Sequence, residues 1–230
     1  MTLSLSARLL AALAIATSPL PASIGPAADS LRATAAPDSL TAIERAIARA
    51  VDERNAEAVA LLERIVNINS GTMNLSGVRQ VGEVLRAEFD ALGFTTRWVD
   101  GAGFHRAGHL IAEHRGDGPR ILLIGHLDTV FEPSHPFQRF ERLSDSTARG
   151  PGIIDMKGGD VIVLHALKAL QAAGALGRLN VIVVFTGDEE ASGSPQDSAR
   201  AALIEAARDT RSDSRTEAAT RGPPWWRGAA

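Results

Sequence analysis

Five side chains able to bind divalent ions fall in three short stretches. His126 and Asp128 belong to Gly125-His126-Leu127-Asp128, Asp155 to the glycine-framed run 150–159, and Glu189 with Glu190 follow Thr186-Gly187-Asp188. Imidazole and carboxylate are donors that borderline and hard divalent cations accept, and a carboxylate beside a ligand is where a base that activates water is needed. Together these residues predict much of a two-metal hydrolase site.

Each residue also has a plainer reading. His126 and Asp128 lie two apart at a strand exit, so their side chains can point the same way, and an acid there can accept the imidazole N–H and leave the other nitrogen for a metal. A lone histidine would more often be structural, but its strand-end position and acidic neighbours favour a ligand. Asp155 lies in a tight loop just before a helix, where its two oxygens can reach two cations or where it can serve as an N-cap. Glu189 and Glu190 follow Asp188, and three adjacent carboxylates are costly to bury unless cations neutralise them. A solvated acidic loop is the alternative. The remaining histidines, His105, His109, His114, His135 and His165, are assigned no chemistry.

The elements that must position these groups can be read from apolar spacing. Thr41 and Glu44 have capping-box spacing ahead of one or two helices over about 41–66, and Val78, Val81, Leu85, Phe89 and Leu92 form a second stripe closed by Gly93. Strands are expected near 94–99 and 109–114. Ile121-Leu122-Leu123-Ile124 and Val181-Ile182-Val183-Val184-Phe185 are continuous apolar runs suited to strands buried on both faces, with a helix over about 158–173 between them. This order predicts an α/β fold with a largely parallel sheet flanked by helices, and such sheets carry sites beyond the carboxyl ends of their strands. His126 and the Glu189–Glu190 pair fall there.

The chain has 230 residues, 45% of them hydrophobic, and a formal charge of −3, which allows one sizeable core and gives no sign of a polyanionic partner such as nucleic acid. Cysteine is absent, so thiolate ligands and disulfides are excluded. Arg8 precedes an apolar run over 9–16 and the small, breaker-rich stretch Ser18-Pro19-Leu20-Pro21-Ala22, the order of a secretory leader. Residues 1–36 are therefore read as signal peptide and linker, which implies a secreted or periplasmic protein with no membrane span after leader removal. Residues 37–207 are read as a partial catalytic domain. A short helix is expected over about 197–207; from Arg208 onward apolar periodicity stops, and residues 208–230 are expected to be a disordered, aberrant tail.

Across roughly residues 40–207 the chain resembles the M20 family of metallopeptidases, of the glutamate carboxypeptidase and acetylornithine deacetylase type. The residues that carry the resemblance are Val66-Asn67-Ile68-Asn69-Ser70-Gly71-Thr72, Gly125-His126-Leu127-Asp128-Thr129-Val130, Gly150-Pro151-Gly152-Ile153-Ile154-Asp155-Met156-Lys157-Gly158-Gly159 and Thr186-Gly187-Asp188-Glu189-Glu190. It implies a co-catalytic Zn²⁺ pair with His126 on one metal, Asp155 bridging and Glu190 on the other. Asp128 would orient His126 and Glu189 would be the general base. The implied reaction is hydrolysis of a peptide or N-acyl amino acid near a free carboxylate. The resemblance also implies a zinc-peptidase-like catalytic domain left incomplete, because the lid and dimerisation domain, a further acidic ligand and a C-terminal histidine have no counterpart here.

Two competing readings come from other classes. One is a non-catalytic truncated remnant that binds metal weakly or not at all. The other is a phosphoester hydrolase using Mg²⁺ or Mn²⁺, ranked low because no phosphate cradle accompanies the acids.

Overall fold

In the computed structural model, Leu3–Ser4 and residues 40–221 are described, with side chains over 40–210. The expected leader and linker, apart from Leu3–Ser4, and the end of the expected tail lie outside the described residues. The elements run β1 (Leu3–Ser4), α1 (Ala42–Glu53), α2 (Asn55–Val66), α3 (Leu75–Ala91), β2 (Thr95–Asp100), β3 (Gly108–His114) and β4 (Arg120–His126). They continue with β5 (Glu141–Ser144), β6 (Thr147–Arg149), α4 (Gly158–Ala172), β7 (Asn180–Thr186) and α5 (Gln196–Arg221).

Local chemistry explains the boundaries. The Thr41 hydroxyl accepts from the Glu44 amide while the Glu44 carboxylate accepts from the Thr41 amide, so the capping box that opens α1 is complete. α3 stops at Ala91 and the chain turns through Gly93 at φ +81°, a left-handed conformation that a residue with a Cβ rarely adopts.

The main sheet has the order β2-β3-β7-β4. β4 and β7 pair in parallel across α4, as strand, helix and strand predict. β3 runs antiparallel to both β7 and β2, so the sheet is mixed, with one parallel pairing in three, where a largely parallel sheet was expected. A second small sheet, β1-β6-β5, was not anticipated; its β5 strand Glu141-Arg142-Leu143-Ser144 is exposed throughout and carries no buried alternation.

β7 shows why the sheet has helices on both faces. Val181, Val183 and Phe185 pack into the larger core with Ile65, Val81, Leu85, Phe89, Leu110 and Leu164. Ile182 and Val184 face the other way, against Ile111, Ala202 and Ala206. α2, α3 and α4 thus cover one face and α5 the other, and each alternate residue of β7 is removed from water. The backbone of α5 continues to Arg221, past the Ala207 end expected from the apolar pattern. Among the described residues, no helix is long and apolar enough to cross a membrane.

Candidate metal centre

His126 is the last residue of β4, and its partner in the parallel register is Thr186, the last residue of β7. Two adjacent parallel strands therefore end together and release their loops on one side. The first loop carries Asp128 and the second carries Glu189 and Glu190. Asp155 arrives from the segment ahead of α4, which packs against β4.

The imidazole is held from both sides. Nδ1 lies 3.1 Å from the Asp128 backbone carbonyl and 3.4 Å from Asp128 Oδ1, and since both only accept, Nδ1 carries the proton. The backbone carbonyl thus shares the orienting task expected of the carboxylate alone. Nε2 is left toward the open side, 2.9 Å from Asp155 Oδ1. Asp155 is mostly exposed, with 71% of its side chain accessible, whereas His126 and Asp128 are buried.

Asp128 is the hub of the centre. Its Oδ1 accepts from the Glu189 amide at 3.1 Å, and its Oδ2 accepts from the Glu190 amide at 3.1 Å and from the Thr72 hydroxyl at 2.7 Å. One buried carboxylate thereby fixes the His126 ring and the backbone of both glutamates. Burial alone would raise its pKa, but hydrogen bonds from His126, Thr72 and the two amides overcome this and hold it below the usual aspartate value. For His126, burial disfavours the cation, yet the bonds to Asp128 and Asp155 and the charges of Asp128 and Asp160 outweigh it, pushing the pKa up to about 9. Glu190 is shifted upward by burial, then by the charges of Asp155, Asp128 and Glu189.

A nitrogen of His126 and carboxylate oxygens of Glu189 and Glu190 lie within 4.8 Å of one another. This all-nitrogen and oxygen donor set, aimed at one point with a fixed tautomer behind it, fits a divalent cation. Asp155 stands at the rim beside Nε2. The structure therefore brings together all five side chains singled out from sequence.

Asp188 does not join them. It is fully buried, turned away from the cluster, and accepts from Arg200 Nη1 at 2.6 Å and from the Gly193 amide at 2.8 Å. The expected repulsion among three neighbouring carboxylates is thus reduced to two, because an arginine on α5 neutralises the third. His109, given no role, is a buried structural residue: its Nε2 lies 2.8 Å from the Ala199 carbonyl and its Nδ1 accepts from the Gly187 amide.

Two buried charges behind the centre escaped the sequence reading. Lys157 is fully buried and donates to the carbonyls of Ile65 and Ile68 at 2.9 Å each, tying the Asp155 segment to the end of α2; burial brings its pKa down to about 7 against the opposing charge of Asp160. Asp160 is fully buried and neither oxygen has a hydrogen-bond partner. Burial raises its pKa well above the aspartate value, opposed by His126 and Lys157. The available signal was helical spacing, since Asp160 falls on the same face as Leu164 and Leu167.

The Peptidase family M20/M25/M40 model matches residues 122–229, a span that contains His126, Asp128, Asp155, Glu189 and Glu190. Over that span the chain is similar to the M20 peptidase family. It is 36% identical to carboxypeptidase G2 of Pseudomonas sp. (strain RS-16) over 142 residues, 61% of this chain and 34% of that protein. The chain thus spans about a third of the length of that curated relative. Its fold is also similar to human carnosine dipeptidase 1, with a TM-score of 0.58 and 21% identity over 74% of this chain and 39% of that one. The di-peptidase Dug1p of Saccharomyces cerevisiae gives a TM-score of 0.58 at 16% identity, covering 70% of this chain and 37% of that one.

Proposed function

We propose that this chain carries the metal-binding core of an M20-type, zinc-dependent hydrolase acting on an amide or peptide bond near a free carboxylate, as in a dipeptide or N-acyl amino acid. The observation that supports it best is the convergence of His126, Glu189 and Glu190 within 4.8 Å, with the His126 tautomer fixed by Asp128.

In this reading His126, Asp155 and Glu190 would hold a zinc pair. Zinc at such a site would supply a lowered water pKa and polarisation of the scissile carbonyl. The protein's own part is proton handling and orientation. Asp128 holds the His126 ring and aligns the two glutamate backbones. Glu189 takes the proton from the attacking water as its oxygen bonds to the carbonyl carbon, and delivers it to the departing amine when the C–N bond breaks.

Zn²⁺ uptake and hydrolysis of N-acyl amino acids and dipeptides, measured side by side, test this. Glu189→Gln should keep zinc and lose turnover by roughly 10²–10⁴-fold, the usual contribution of a positioned acid–base group. Glu190→Gln should instead weaken zinc binding itself. Turnover unchanged in Glu189→Gln would remove that residue as the base, and zinc uptake without turnover in the unaltered chain would leave a metal-binding remnant.

A further inference from the structure

We propose that Thr72 is a positioning residue of the metal centre: its hydroxyl fixes the Asp128 carboxylate, and through Asp128 the His126 ring and the backbone of Glu189 and Glu190. The zinc arm of this inference rests on the function proposed above; the positioning itself does not.

The geometry separates the hydroxyl from the backbone around it. Thr72 is buried, and its Oγ1 donates to Asp128 Oδ2 at 2.7 Å, shorter than the 3.1 Å bonds that the same carboxylate accepts from the Glu189 and Glu190 amides. A short hydrogen bond from a hydroxyl to a buried carboxylate is the strong, charge-assisted kind. The backbone of the same connection between α2 and α3 is held by other means. The Thr72 amide donates to the Thr129 carbonyl at 3.1 Å, the Thr129 amide donates to the Ser70 carbonyl at 2.8 Å, and Lys157 grips the carbonyls of Ile65 and Ile68. Removing only the hydroxyl leaves these bonds in place.

Without that donor, Asp128 Oδ2 keeps the Glu190 amide alone, and the carboxylate gains freedom to rotate about χ2. Each group it aligns then loses its reference. Outer partners of metal-ligating residues orient them in this way, and losing one typically weakens metal binding or activity roughly 10- to 100-fold.

The test uses the full chain with Thr72→Val, which keeps the shape and deletes the hydroxyl, Thr72→Ser, which keeps the hydroxyl, and Ser70→Ala. Ser70 Oγ is buried in the same connection and has no hydrogen-bond partner, so Ser70→Ala controls for general loosening. Amide exchange is followed in metal-free protein, and Zn²⁺ affinity is measured by competition with a chromophoric chelator. Thr72→Val should speed exchange at the Glu189 and Glu190 amides by about tenfold and weaken zinc binding roughly 10- to 100-fold. Thr72→Ser should restore both, and Ser70→Ala should change neither. Wild-type exchange at those two amides in Thr72→Val, or equal acceleration in Ser70→Ala, overturns the assignment. Should the unaltered chain take up no zinc while Thr72→Val still frees the two amides, the positioning role stands and the metal reading fails.

Discussion

Arg200 on α5 donates from Nη1 to Asp188 Oδ1 at 2.6 Å, and its Nη2 reaches the Ser192 hydroxyl at 2.6 Å. Asp188 directly precedes the two glutamates of the metal centre and has no exposure to solvent. The helix on the far face of the sheet thus secures the root of the acidic loop. It also keeps Asp188 from adding its charge to the acids that already face the open rim, Glu189, Glu190 and Asp155.

Arg200→Met tests that role. Methionine retains much of the apolar stem but leaves a buried acid without its cation, a change that costs about 3 kcal/mol. Thermal unfolding should show a clear loss of stability, and Arg200→Met with Asp188→Asn should recover most of it. A single variant as stable as the unaltered chain would mean that Asp188 is neutralised by something other than Arg200.

Asp160 yields a prediction of the opposite sign. Its carboxyl sits so close under Gly125 that a Cβ there would come 2.3 Å from Oδ1, and neither oxygen has a hydrogen-bond partner. Burial raises its folded pKa well above the ordinary aspartate value, so the folded state favours the protonated form. Below the unfolded pKa both states are protonated and nothing is lost. As pH rises above it, the unfolded chain ionises more readily and folding becomes progressively less favourable. Asp160→Asn should therefore stabilise the chain at pH 7 by roughly 1–3 kcal/mol and have little effect near pH 3. Denaturation followed across that range checks both ends, and a gain independent of pH would point away from Asp160 ionisation.

What could be read in advance followed local pattern. Ile121–Ile124 and Val181–Phe185 announced themselves as strands by their continuous apolar runs, and their ends then located His126 and Glu189–Glu190. β7 is buried on both faces as expected, whereas β4, last in the sheet order among the described residues, leaves Ile121 and Ile124 exposed. Strand direction is not encoded that way: nothing within Thr95–Asp100 or Gly108–His114 states that β2 and β3 pair antiparallel. The pair β5 and β6 stayed hidden because Glu141–Ser144 is exposed and has no buried face to pattern. At the site the types and spacing of the donors were legible, while their connections were not. Thr72 reaches Asp128 across 56 residues and Arg200 returns to Asp188 from the next helix, relationships made only by folding.

Metal uptake by His126 must expel a proton. The bonds to Asp128 and Asp155 hold the imidazole at about 9 despite the opposing effect of burial, so near pH 7.5 the ring is predominantly cationic in the metal-free chain. A cationic imidazole has no lone pair to donate, so binding requires the neutral form. Zinc affinity should accordingly rise up to about tenfold per pH unit from pH 6.5 toward pH 9 and level off above it. Titration calorimetry at pH 7.5 in buffers of different ionisation enthalpy should report close to one proton released at this residue for each ion bound. The same shift acts on the metal-free fold with a fixed sign. A histidine whose folded pKa exceeds its unfolded value of 6.5 adds stability that is fully present below pH 6.5 and fades as pH rises through about 9. Heat of binding that is identical in every buffer would show that His126 is already neutral and that its hold on Asp128 and Asp155 is weaker than the geometry implies.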